Sequence, residues 1–148
     1  MEALQQLDAI PAGSLIAVDT APLIFFLEDH PSWAEAYAAL FEGLAEGRWR
    51  GVISTITLAE VLAGPLQQQR DALAERYEAE LSDPTHWSLV PLNQAVASRA
   101  ARLRIRYGLK LPDAVQLSTA INTNAAALIT HDRDFSRCED IPILSATH

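Results

Sequence analysis

Three short apolar runs, SLIAVD (14–19), RGVIST (50–55) and AALIT (126–130), each end on a polar residue, and the segments between them carry a helical pattern. A short apolar run without alternation reads as a strand buried on both faces, the condition of a parallel sheet covered by helices. HWSLVPL (86–92) and IPIL (141–144) are weaker runs of the same kind, and the second is short enough to sit at a sheet edge. In SWAEAYAALFEGLAEG, residues Trp33, Tyr37, Leu40, Phe41 and Leu44 fall at i, i+4, i+7, i+8 and i+11, and Gly47 is placed as a stop. Further helices are expected in APLIFFLE after Asp19, from TLAEVLAG onward, over 67–80, over 93–107 and in PDAVQLSTAIN. Strands alternating with helices predict an α/β fold with a mostly parallel sheet of about five short strands, helices on both faces.

A length of 148 residues suits one compact domain spanning 1–148. The opening MEALQQLDAI lacks the basic start and apolar core of a secretory signal, and no apolar run approaches the roughly 20 residues of a membrane span. The expectation is a soluble, cytoplasmic protein with no membrane partner. A lone cysteine, Cys138, leaves no internal disulfide and no cysteine-built metal site. The formal charge of −8 argues against a surface that holds nucleic acid through bulk electrostatics. Basic residues are nonetheless clustered: Arg99, Arg102, Arg104, Arg106 and Lys110 fall within twelve positions.

In parallel sheets, functional groups gather beyond the carboxyl ends of the strands. That rule selects Asp19 after LIAV, Glu60 one turn into the helix after GVIST, and Asp132 past ALIT; Asp113 opens a helix after Pro112. Each also has a purely structural reading. Asp19 can cap a helix for about 1 kcal/mol, Thr57 and Glu60 spell a T-x-x-E capping box, Asp113 suits a first helical turn, and Asp132 with Asp134 can form an Asx-turn. Capping, however, requires no convergence. If the sheet is parallel, all four carboxylates can face one crevice, where their mutual repulsion is tolerable mainly with a cation among them. Ligands that are all oxygen favour a hard ion, Mg2+ or Mn2+. Such an ion activates water and neutralises charge on a phosphate, which is the chemistry of phosphodiester hydrolysis. Thr20 and Thr130 are placed to orient the carboxylates.

The order VDTAPLIFFLE, STITLAEVLAGP, LKLPDAVQLSTA, LITHDRDF resembles the PIN-domain family, most closely the VapC-type toxins of prokaryotic toxin–antitoxin pairs. The resemblance spans nearly the whole chain. It implies a three-layer PIN-like fold, a metal-dependent endoribonuclease acting on an RNA substrate, often a homodimer, usually held inactive by a small antitoxin. Asp19, Glu60, Asp113 and Asp132 match the family's acidic positions and would be the catalytic residues and metal ligands. Asp134 is a neighbour of that set, Thr20 and Thr130 match hydroxyl positions beside it, and Glu28 lies one helical face further on. The same resemblance also admits an RNA-processing PIN nuclease without an antitoxin, or a non-cleaving RNA- or protein-binding PIN-like module.

The acidic balance is a departure from what an RNA-binding protein suggests, so RNA contacts would have to be local. In 93–107, Val96, Ala100, Leu103 and Tyr107 form an apolar stripe while Arg99, Arg102 and Arg106 line another face, ordinarily a solvated one. The functional reading is that these arginines, or Arg133 beside Asp132, touch RNA phosphates or an antitoxin's acidic groups; Arg133 is the better candidate for RNA, and His131 stays outside the catalytic set. A haloacid-dehalogenase-like phosphatase or a response-regulator receiver also uses an aspartate after the first strand. The first wants a second aspartate where this chain has Ala21, and the second wants a late lysine, whereas the only lysine, Lys110, precedes Asp113.

Overall fold

The computed structural model describes residues 2–147. Five strands, β1 (Leu15–Val18), β2 (Arg50–Ser54), β3 (Trp87–Val90), β4 (Ala127–Ile129) and β5 (Ile143–Leu144), form one sheet in the order β3-β2-β1-β4-β5. Every pairing is parallel, so the sheet is wholly rather than mostly so. The two-residue β5 takes an edge, as its length predicts. Six α-helices accompany the strands: α1 (Thr20–Leu27), α2 (Ala38–Ala45), α3 (Thr55–Gln67), α4 (Asp71–Leu81), α5 (Gln94–Tyr107) and α6 (Leu111–Asn122).

Successive strand residues point to opposite faces, and this splits the apolar runs between two cores. Ile16, Val18, Ile53, Ala127 and Ile129 pack with Leu23, Tyr37, Leu40 and Phe41 on one face. Ala17, Val52 and Leu128 pack with Val96, Ala100, Leu103, Val115 and Leu117 of α5 and α6 on the other. The result is three layers, helices on sheet on helices. A 3-10 segment, Glu2–Ala9, adds Leu4 and Leu7 to the first core.

The helix expected from Trp33 starts later. A turn at 31–34 comes first, in which His30 Nδ1 accepts the backbone N–H groups of Ser32 and Trp33 at 3.1 and 3.2 Å. A short 3-10 turn, Glu35–Tyr37, then leads into α2, and the stop at Gly47 holds, with φ +76°. Within α2, Gly43 leaves the space that the Trp49 indole fills. The segment 67–80 divides: α3 runs through Gln67, Gln69 takes φ +58°, and α4 begins at Asp71.

Because the strands are all parallel, Val18, Ser54, Val90, Ile129 and Leu144 end at the same edge of the sheet. Asp19 continues the ladder by one bond, donating its N–H to Ile129 O at 2.9 Å.

Candidate active site

Asp19 leaves the sheet edge and caps α1. Its Oδ1 accepts the Thr20 N–H at 2.8 Å and its Oδ2 accepts the Thr130 hydroxyl at 2.7 Å. The residue is 7% exposed, so the carboxyl group in the middle of an apolar run is held inside the protein. Burial raises the carboxyl to about 6; the Thr130 and Thr20 donors pull it down, and the charges of Glu60 and Asp132 add to the rise.

The loop after β4 is folded around Thr130, whose hydroxyl oxygen accepts the Asp132 N–H at 3.0 Å. Asp132 Oδ1 in turn accepts the Asp134 N–H at 2.8 Å, closing the expected Asx-turn. Asp113 enters from the first turn of α6, after Pro112. One carboxylate oxygen from each of Asp113, Asp132 and Asp134 lies within 4.8 Å of the others. Asp113 is raised to about 6, by burial first and then by Asp19, Asp132, Asp134 and Glu60. The five carboxylates therefore share one electrostatic field, with Asp134 inside the tight group.

Glu60 reaches the same region differently from its capping-box reading. Ser54 caps α3, its Oγ accepting the Ile56 N–H at 3.1 Å, so Thr57 is already inside the helix. Glu60 Oε1 instead accepts the Thr20 hydroxyl at 2.7 Å. Thr20 Oγ1 also lies 3.0 Å from Thr57 Oγ1, and Gln116 Nε2 of α6 donates to both hydroxyls. Gln116 is the residue of this group that sequence reasoning misses. Its one signal is spacing, since a polar side chain three residues after Asp113 lies on the same helical face.

The family model for the PIN domain matches residues 16–141, a span that includes all five carboxylates. The chain belongs to the PIN-domain family. This PIN domain is similar to a toxin–antitoxin complex from Klebsiella pneumoniae, at 26% identity and TM-score 0.68, covering 88% of this chain and 97% of that one. It is similar to VapBC2 from Rickettsia felis bound to a promoter DNA fragment, at 20% identity and TM-score 0.71, covering 88% and 98%. It is also similar to VapC20 of Mycobacterium tuberculosis, described as a sarcin–ricin-loop cleaving toxin, at 15% identity and TM-score 0.67, covering 82% and 92%. No curated protein matches the sequence.

Further residues of the PIN domain fall at varying distances from this centre. Arg133 is exposed in the Asp132 loop and donates from Nη2 to Thr147 O at 3.4 Å. Glu28 is the exposed C-cap of α1 and lines a cleft with Gly64, Gln68, Arg70 and Tyr77, apart from the carboxylates. The stripe Val96, Ala100, Leu103 and Tyr107 is buried, and the arginine face is exposed, as its pattern predicts. Arg99 donates to Asn122, Arg102 to Ser98 Oγ and Arg106 to Asp140. Arg99 and Arg102 line a cleft with Asn93, Asn122 and Asn124, at the end of α6 opposite Asp113. His131 packs edge-on against the rings of Phe25 and Trp33 and is 2.7 Å from the Tyr37 hydroxyl through Nδ1.

The donor set fits a hard divalent cation. It is all carboxylate oxygen, and no cation is among the groups that shift Asp19 or Asp113. Mg2+ holds oxygens at about 2.1 Å, so ligands across one ion stand at most about 4.2 Å apart. One oxygen from each of Asp113, Asp132 and Asp134 lies within 4.8 Å of the others, close to that span.

Proposed function

We propose that this PIN domain is a divalent-metal-dependent endoribonuclease and the toxin of a toxin–antitoxin pair, with Asp19, Glu60, Asp113 and Asp132 as its catalytic and metal-holding residues. The observation that carries the reading is the gathering of these carboxylates, with Asp134, beyond one edge of a parallel sheet, where burial and mutual repulsion raise Asp19 and Asp113 to about 6. An uncompensated anionic cluster of this kind is costly unless it serves a cation.

Bound among these groups, Mg2+ or Mn2+ would supply charge neutralisation on a phosphodiester and a lowered pKa for an attacking water. The protein's own contribution is position. Thr20 N–H and the Thr130 hydroxyl fix both oxygens of Asp19, the Asx-turn fixes Asp132 relative to Asp134, and Thr20 Oγ1 anchors Glu60. Thr20 and Thr130 thus serve the site by holding carboxylates. Arg133, exposed beside Asp132, is the cation we assign to an RNA phosphate.

Support for a toxin comes from the similar structures, which are described as toxin–antitoxin and VapBC complexes, and support for RNA from the description of VapC20. A small antitoxin and a second copy of the chain are accordingly the proposed protein partners. No helix among the described residues is long and apolar enough to cross a membrane, and we place the protein in the cytoplasm with its RNA.

The test is incubation of purified protein with structured and single-stranded RNA in Mn2+ and in EDTA. Cleavage that needs the ion and disappears in Asp19→Asn is expected. Cleavage in EDTA, or full activity in Asp19→Asn, overturns the reading.

A further inference from the structure

We infer that Gln116 is a positioning residue for the acidic site, acting through Thr57 and Thr20 on Glu60; the inference rests on the nuclease reading above. Glu60 is exposed and hangs on a flexible stem, so its place at the site depends on what holds its carboxylate. The holder is the Thr20 hydroxyl, 2.7 Å from Oε1.

An ionised carboxylate only accepts, and a hydroxyl has one proton to give. Thr20 Oγ1 therefore spends its proton on Glu60 and can only accept from its other neighbours. Thr57 Oγ1, 3.0 Å away, must donate to it, which commits the Thr57 proton in turn. Thr57 Oγ1 is then left needing a donor, and Gln116 Nε2 supplies it, giving its second proton to Thr20 Oγ1 at 3.3 Å. The chain runs one way, from the α6 amide through the α3 hydroxyl and the α1 hydroxyl to Glu60. With the amide turned over, its carbonyl would face both hydroxyls and draw the Thr20 proton away from Glu60.

Burial gives the direction its force. Thr57 is 0% and Gln116 3% exposed, so water does not substitute for a missing donor. Gln116 shares α6 with Asp113, one turn earlier. A single helix therefore supplies one carboxylate directly and fixes another at a distance.

Four variants test this. Gln116→Met keeps the volume and removes the donor; Gln116→Glu keeps the shape and reverses the hydrogen bonds; Thr57→Val breaks the chain in its middle; Thr57→Ser retains the hydroxyl. Calorimetric Mn2+ affinity, kcat and KM for a cleavable RNA, and melting temperature are read on each. Groups that orient ligands are typically worth roughly 10- to 100-fold in metal affinity or activity. Gln116→Met and Thr57→Val are expected to fold, to bind Mn2+ roughly tenfold more weakly and to lose kcat by a similar factor with KM unchanged. Gln116→Glu should lose at least as much, and Thr57→Ser should recover most of both quantities. Should Gln116→Met fail to fold, the Thr57 pair decides. Wild-type Mn2+ affinity and kcat in Thr57→Val, or equal losses in Thr57→Ser and Thr57→Val, overturn the positioning role alone. A wild-type protein that neither binds Mn2+ nor cleaves RNA overturns the nuclease reading, and this inference with it.

Discussion

Thr130 donates its hydroxyl to Asp19 Oδ2 at 2.7 Å, joining the end of β4 to the end of β1 at the point where the acidic site begins. The same oxygen accepts the Asp132 N–H at 3.0 Å, so one buried side chain fixes a carboxylate and the loop that carries two more. Thr130→Val keeps the shape and leaves Asp19 short of a donor and Asp132 short of an acceptor. Leaving a buried group unsatisfied costs about 1–3 kcal/mol, to be read as a lower urea midpoint at an unchanged slope. Thr130→Ser should recover most of it; equal midpoints for Val and wild type would remove Thr130 from this role.

Asp19→Asn keeps an acceptor for the Thr20 N–H and discharges a buried group. The fold should survive, with a melting temperature at neutral pH no lower than wild type. Mn2+ binding should weaken, and RNA cleavage should fall by about 100-fold or more, the scale of several kcal/mol lost from the transition state. A variant that melts early would assign Asp19 to structure instead.

The pH dependence of stability follows from Asp19 and Asp113, which hold protons to about 6 in the folded state against 3.8 when unperturbed. Between those values the folded chain binds more protons than the unfolded one, so stability falls as pH rises through the window and stays low above it. The metal-free protein should melt lower at about pH 8 than at about pH 5, and added Mn2+ should raise the melting temperature far more at the higher pH. A metal-free melting temperature that climbs across this range would contradict the arrangement.

Away from the site, a Cβ at Gly43 would run into the Trp49 ring. Gly43→Ala is expected to destabilise by about 1–3 kcal/mol, despite the better helix propensity of alanine. Chemical denaturation measures this, and a stabilised variant would show that Trp49 has room to shift.

The strands were legible because β1, β2 and β4 are apolar runs with no competing period, and the parallel order then located the sheet edge where Asp19 emerges. Less could be read where a side chain competes with the backbone. A turn in which His30 Nδ1 accepts the Ser32 and Trp33 N–H groups precedes the helix expected from Trp33, and nothing in the periodicity signals it. Ser54 rather than Thr57 caps α3, since the cap depends on where β2 stops. Asp134 joins Asp113 and Asp132 only through the turn that Asp132 makes, and a single glutamine on the apolar face of α6 reads as noise until Thr57 is found beside it.

The strand order has a consequence in time. β1 is among the first elements to be synthesised, yet its partner β4, the Thr130 hydroxyl and two of the three clustered carboxylates come after residue 126. A growing chain that has passed Asp19, Glu60 and Asp113 still lacks the strand that draws them into register. The acidic site is therefore incomplete until residues 127–134 have been added, long after Asp19 and Glu60.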